Sequence, residues 1–193
     1  MRSLEHVVAP LGLGQAEKRT ALVARSADDD RSARVARLIN EHYEFVWRSA
    51  RRLGVRDADL DDVVQEVFVV AARRIDEITH ELGFLFRACM HAASHSRRSV
   101  QRRREVVDET RVEHEIDGRA NPEQDAETAE ARAQLQAILE QMPEDLRVVF
   151  VLYELEQFTM SEIAETLAVP AGTVASRLRR ARETFFARAD ERE

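Results

Sequence analysis

The chain has little of what several large protein classes require. It carries a single cysteine, Cys89, so no internal disulfide framework can form. It has one lysine, Lys18. Its positive chemistry is therefore guanidinium chemistry: planar, permanently charged and able to fork onto a phosphate or a guanine edge. Glycine (6) and proline (4) are scarce, and Val- and Thr-rich alternating runs are missing, which argues for helix and against sheet. No apolar run approaches the ~18 residues of a membrane span. The short apolar stretch near the start (Val7, Val8, Leu11, Leu13) is too interrupted for a secretory leader. A cytoplasmic chain with no direct membrane insertion is expected. A Gly-rich phosphate loop, a Gly-x-Ser-x-Gly elbow and paired catalytic carboxylates are missing too. No intrinsic catalysis, no cofactor and no metal are expected.

What is present is charge and helical periodicity. Charged residues make up 34% of the 193 positions against 6% aromatic, and the net charge is −7. Phosphate neutralisation drives much of nucleic-acid affinity. This acidity therefore implies weak DNA binding by the chain alone, or acidic surfaces kept for a basic protein partner. The expected fold class is all-α: two small helical domains joined by a flexible acidic linker, the C-terminal one containing a helix-turn-helix.

Residues 1–30 read as a disordered arm, with a nascent helix around Gln15–Arg25, ending in Asp28-Asp29-Asp30. Residues 31–104 read as the first domain. From Ser32, the residues Val35, Leu38, Ile39, Val46, Trp47 and Leu53 fall largely on one 3.6-period stripe, and Gly54 suits a helix C′ position. A second helix is expected from the Asp57–Asp62 cluster to about Ile78, with Asp59 as cap and Asp61 and Asp62 at the positive end of the helix dipole. A third is expected over 82–104, apolar at its start and basic at its end. Residues 105–127 read as the linker: ten acids face two arginines between 105 and 130, with Gly118 and Asn121-Pro122 as breakers. Residues 128–193 form the second domain, in which Pro143 is expected at the first position of a helix.

The pattern over 159–182 carries the most information. Thr159-Met-Ser-Glu162 is a capping box opening a short helix through Leu167. The turn Ala168-Val169-Pro170 leads into a final helix from Ala171 to about Arg188. Ile163, Ala164 and Leu167 on one helix, and Val174, Leu178 and Ala181 on the other, would face each other, with Ala164 small enough for the crossing. Thr173, Ser176, Arg177, Arg180 and Arg182 would then be exposed. Hydroxyls and guanidiniums near a helix start suit base edges and phosphates in a major groove. A plain helical hairpin with a solvated arginine face is the competing reading.

The run Met160–Arg182 resembles the promoter-reading motif of sigma factors of the extracytoplasmic-function group within the sigma-70 family. The core Gly172-Thr-Val-Ala-Ser-Arg-Leu-Arg-Arg-Ala-Arg182 is its most specific part. The preceding Leu139-Glu-Gln-Met-Pro-Glu-Asp-Leu-Arg-Val-Val-Phe150 is similar to the helix that leads into it. Regulators of the two-component response class share a similar motif. This half alone therefore leaves open a helix-turn-helix regulator that binds DNA independently of polymerase.

The first domain discriminates. Asp62-Val-Val-Gln65-Glu66-Val-Phe68 resembles the family signature Asp-Leu-Val-Gln-Glu-x-Phe. Asp62, Gln65, Glu66 and Val69 stand at i, i+3, i+4 and i+7 on the stripe opposite the apolar one, although a solvated helix face is the commoner fate of such residues. The resemblance implies that Asp62, Gln65 and Glu66 grip core RNA polymerase. It makes 31–104 the polymerase-binding and downstream-element (region 2-like) domain, and 128–193 the upstream-element (region 4-like) domain reading promoter DNA with Thr173, Ser176, Arg177 and Arg180. It implies further that Phe84, Arg87, His91, His95 and Arg98 face the downstream element. There the family usually has Trp-Leu-Tyr-Arg-Ile-Ala-x-Asn, and an Asp a turn later. This chain has Phe84-Leu-Phe-Arg87-Ala-Cys-Met-His91 and then His95. The basic run Arg97–Arg104, five arginines in eight residues, suits phosphates. Polar surface is the competing reading of His91 and His95. A zinc site there is disfavoured, because Cys89 stands about 200° from His91 around a helix and Ala92 replaces the glutamate of the protease motif. The resemblance also implies a dedicated regulon and an anti-sigma partner.

Overall fold

The computed structural model describes residues 13–106 and 124–190, and every element among the described residues is helical. The first helix, α1 (Leu13–Arg52), begins well before Ser32, inside the segment expected to be a disordered arm. The reason is compositional. Between Gln15 and Leu53 there is neither glycine nor proline, so nothing stops the helix from extending backwards. Residues 1–12 of that arm lie outside the described residues.

The end of α1 is sharply set by Gly54. Its φ of +86° lies in the left-handed region. Its N–H donates to Arg51 O (2.9 Å), and that of Val55 donates to Ala50 O (3.1 Å), the paired bonds of a Schellman stop. A Cβ on Gly54 would lie 2.8 Å from Arg147 Nη1. Gly54→Ala is therefore expected to cost about 1–2 kcal/mol from backbone conformation alone, and more from the displaced guanidinium. The check is the urea unfolding midpoint, and an unshifted midpoint would remove the argument.

A 3₁₀ turn (Asp57–Asp59) leads into α2 (Leu60–Arg73). Asp59 precedes the helix as expected but does not cap it with its side chain. Its carboxylate accepts instead from Arg56 Nε (2.8 Å). Asp61 and Asp62 occupy the first turn. The helix stops at Arg73 rather than near Ile78, because a second 3₁₀ turn (Ile75–Glu77) buries both Ile75 and Ile78. Arg31 of α1 donates to Ala72 O (3.0 Å) and Arg73 O (3.2 Å), satisfying carbonyls left open where α2 ends. The third helix, α3, runs from Glu81 to Val106. Leu38 and Val46 of α1, Val63, Val64 and Val67 of α2, and Leu85 and Phe86 of α3 form the centre of this lobe. Burying a side chain such as Phe86 contributes about 1.5–3 kcal/mol.

Residues 107–123, most of the expected linker, lie outside the described residues. The second lobe comprises α4 (Gln124–Gln141), α5 (Glu144–Phe150), a π turn (Val151–Leu155), α6 (Met160–Leu167) and α7 (Ala171–Asp190). Pro143 is the N-cap of α5, with ψ 140°, rather than its first helical residue. Ile163, Val174, Leu178 and Ala181 are buried between α6 and α7, as the spacing predicts. The two lobes also pack on each other. Their buried residues form one continuous core, joined where Phe45 of α1 stacks on Phe158 (ring centroids 6.4 Å).

Candidate functional site

The helix-turn-helix has the local construction that its sequence predicts. Thr159 Oγ1 accepts from the Glu162 N–H (3.3 Å), and Glu162 Oε2 accepts from the Thr159 N–H (2.8 Å). The Thr159 hydroxyl also donates to Glu162 Oε2 (2.7 Å), and this bond, with the one from the Thr159 N–H, holds the Glu162 carboxyl below the usual carboxylate range. Ala168 takes a left-handed conformation (φ 52°) and turns the chain toward α7. Thr159→Ala is expected to lower stability by about 1 kcal/mol, the usual worth of an N-cap. Thermal unfolding followed by circular dichroism measures it, and a melting curve identical to the parent would contradict the role.

On α7, Ser176 and Arg180 are exposed, while Thr173 and Arg177 are half-buried. Ser176 Oγ donates back to Thr173 O (2.9 Å). Arg177 lies 3.4 Å from the Asp145 carboxylate of α5. Arg182, expected on the free face, is engaged within the lobe. Its Nε donates to Glu154 (2.6 Å) and its guanidinium lies over the Tyr153 ring (5.3 Å). The half of α7 nearest its start therefore carries the available groups.

The α2 stripe divides as the heptad-like spacing predicts. Val63, Val64, Val67, Phe68 and Ala71 are buried; Asp62, Gln65 and Glu66 are exposed. Val69 follows them at 41% exposure, and Tyr43 of α1 stands at 40%. With Val35, Ile39 and Phe68 they line a groove of about 520 Å³ between α1 and α2 that also includes Gln65. Tyr43 stacks in parallel on Phe68 (6.4 Å). An acidic rim beside an apolar groove suits a helix with basic and apolar side chains.

Along α3, Arg87, His91, His95 and Arg98 are exposed, and Phe84 is half-buried beneath the Arg74 guanidinium (5.7 Å). They share one side of the helix. Cys89 points the other way, fully buried, with its thiol directed at Val46 O (3.8 Å), and burial pushes that thiol up to about 12. It therefore does not join His91 and His95. Among the described residues, Glu41, His42 and Glu81 do converge, with His42 Nε2 2.8 Å from Glu81. Arg37 lies 4.0 Å from Glu41 and 3.8 Å from Glu81, so a resident cation already balances these acids.

Sequence reasoning missed the residues that join the lobes. The carbonyls at the end of α1 are satisfied by side chains from elsewhere. Arg51 O accepts from Gln136 of α4 (2.8 Å), and Leu53 O accepts from Arg147 of α5 (3.2 Å) and from Arg97 of α3. Arg97 also donates to Glu144 (2.6 Å). It is thus withdrawn from the basic run expected to meet phosphates. Arg147 also donates to Glu140 O and Met142 O, and burial is the first cause that lowers its pKa. Glu156 meets Arg52, and Arg48 at 3.6 Å. Burial raises its pKa, while the two guanidiniums oppose that. Between Glu156 and Phe158, Gln157 has φ 58°, a left-handed backbone costing about 1–2 kcal/mol for a residue with a Cβ. The contacts on either side hold it there. No motif marks these residues, since their partners lie far away in the chain.

A helix-turn-helix with an open arginine-bearing face, packed on a three-helix lobe with an exposed acidic stripe, is the construction of a two-lobed DNA-binding protein. Residues 38–104 match the family Sigma-70 region 2, and residues 132–185 match Sigma-70, region 4. The chain is 34% identical over 141 residues to the ECF RNA polymerase sigma-E factor of Escherichia coli (strain K12), spanning 68% of this chain and 74% of that protein. It is also 34% identical over 152 residues to the ECF RNA polymerase sigma factor SigE of Mycolicibacterium smegmatis, spanning 76% of this chain and 58% of that protein. The chain belongs to the ECF sigma factors of the sigma-70 family. Two solved structures share its fold. CnrH, in complex with the cytosolic domain of CnrY, has a TM-score of 0.64 at 23% identity, covering 90% of this chain and 97% of that one. The sigma factor RpoE from Bartonella quintana, in complex with the anti-sigma factor NepR, has a TM-score of 0.59 at 18% identity, covering 79% and 94%. With both halves matching sigma regions, a regulator acting without polymerase is not favoured. No helix among the described residues is long and apolar enough to cross a membrane.

Proposed function

We propose that this sigma factor directs core RNA polymerase to a dedicated set of promoters from the cytoplasm, and that each lobe has a separate task. Asp62, Gln65 and Glu66 of α2 dock on the polymerase. The observation that carries this reading is their alignment as one exposed polar stripe on a helix whose opposite side is wholly buried. Thr173, Ser176, Arg177 and Arg180 of α7 enter the major groove of the upstream element, fixed by a capping box and a left-handed turn just before them. Phe84, Arg87, His91, His95 and Arg98 face the downstream element. Arg87 and Arg98 contact phosphate, and Phe84 offers a stacking surface for an unpaired base. Polymerisation belongs to the core enzyme, and this chain supplies positioning only.

An anti-sigma partner holds the free protein inactive. The RpoE relative bound to the anti-sigma factor NepR supports that assignment. The test is reconstitution. Core polymerase with this chain should initiate at a cognate promoter, and core polymerase alone should not. Equal transcription from both reactions would overturn the reading.

A further inference from the structure

α3 is free of acid over most of its length. Between Glu81 and Glu105 it carries no carboxylate, in a chain whose net charge is −7. Glu81 itself is held by His42 Nε2 (2.8 Å). Arg87, His91, His95 and Arg98 are exposed. At 3.6 residues per turn they fall within an arc of about 80° around the helix. On the far side Leu85, Phe86, Cys89, Ala92 and Ala93 are buried, which fixes the direction in which the row points. Among the described residues, none holds a hydrogen bond or an ion pair with any of the four. Arg97, one residue away, differs: it donates to Leu53 O and to Glu144.

Such a row offers donors almost exclusively. A guanidinium has five N–H donors and no acceptor, and a neutral imidazole has one of each. In the major groove only guanine shows two acceptors side by side, N7 and O6. Adenine pairs an acceptor with a donor, cytosine shows a donor, and thymine sets an acceptor beside a methyl. His91 and His95 stand one turn apart, about 6 Å along the axis, which spans about two base steps of ~3.4 Å. We infer that His91 and His95 set the base choice at the downstream element, selecting guanine at positions no more than two steps apart, while Arg87 and Arg98 hold the phosphates beside them. The inference rests on the reading of α3 as that surface. The Asn and Asp of the family pattern would select differently. An amide pairs with N6 and N7 of adenine, and a carboxylate accepts from N4 of cytosine. Imidazoles in their place turn acceptors into donors, so the change of residue is a change of base.

A selection reads the choice directly. Core polymerase with the full chain is mixed with a random-sequence duplex pool, and the templates kept in heparin-resistant complexes are sequenced. His91→Asn with His95→Asp should change base frequencies at one or two downstream positions. At those positions the parent should keep guanine over adenine and cytosine by at least about tenfold, and the double variant should reverse that ratio. Both side chains are exposed, so neither substitution reaches the core. An unchanged frequency profile would overturn the inference, and so would a parent that keeps any other base at the positions that change. Arg87→Ala with Arg98→Ala tests the reading underneath. It should lower the yield of complexes by at least about tenfold for all sequences alike and leave the profile as it was. If the yield does not fall, α3 does not face the element, and the base choice fails with it. If the yield falls while the histidine variant keeps the parent's profile, the reading of α3 stands and only the base choice is wrong.

Discussion

Reversing charge at Asp62 and Glu66 together is expected to reduce polymerase-dependent transcription by at least about a hundredfold. Removing one partner of a hydrogen-bonded interfacial charge pair costs about 2–5 kcal/mol, and reversal adds repulsion to the loss. Two reversals on adjacent turns therefore exceed the roughly 2.8 kcal/mol that corresponds to a hundredfold. The side chains are exposed and lie opposite the buried valines. Substitution there should change folding by no more than about 0.5 kcal/mol. Loss of transcription with an unchanged melting curve would place the effect at the docking step. The readouts are run-off transcription with core polymerase and co-elution of the two proteins. Full transcription by the Asp62→Arg, Glu66→Arg chain would show that α2 docks nothing. Gln65→Ala in the same assay should have a smaller effect, because a neutral amide is removed without leaving a like-charge contact.

The second large effect belongs to α7. Arg177→Ala with Arg180→Ala should weaken upstream-element binding by roughly a hundredfold or more, since each bidentate contact to a base is worth about 1–3 kcal/mol. Arg177 starts from a partly exposed pair with Asp145 at 3.4 Å. Such pairs contribute about 0–1 kcal/mol, so exchanging a carboxylate for a guanine edge or a phosphate costs less than it gains. The salt dependence distinguishes the two targets. A lost phosphate contact lowers the slope of log affinity against log salt by about 0.9. A lost base contact leaves the slope unchanged and reduces the ratio of cognate to random-sequence binding. Footprinting of the assembled polymerase at a cognate promoter is the measurement, and undiminished protection of the upstream element would refute the assignment.

The legible parts of this protein are the local ones. The capping box at Thr159 and Glu162, the tight turn over 168–170 and the stop at Gly54 each depend on residues within a few positions of one another; the left-handed backbone at Ala168 is what the structure adds. Their chemistry can therefore be read in order along the chain. The buried stripe of α2 is legible for the same reason, as a periodicity. The start of α1 was harder to read. Three aspartates at 28–30 look like a boundary, yet no breaker stands beside them and the helix continues through. The contact between the lobes could not be read at all. Glu156 resembles any surface glutamate until Arg48 and Arg52 are placed against it. Arg97 sits in a basic run whose other members make a phosphate contact the natural expectation, but the carbonyl of Leu53 and the carboxylate of Glu144 claim it first. The π turn at Val151–Leu155 belongs to this group. It interrupts an otherwise regular helical pattern just before the residues that meet the first lobe.

One uninterrupted helix carries both ends of this arrangement. Ile39 and Tyr43 line the groove beside the exposed stripe of α2, while the carbonyls of Arg51 and Leu53 receive Gln136 and Arg147 from the second lobe. Tyr43 and Arg51 are separated by only about 12 Å of α-helix at 1.5 Å per residue. Over that length α1 is a stiff beam. The groove and the socket are therefore held at a fixed spacing and orientation by one element, with no joint between them.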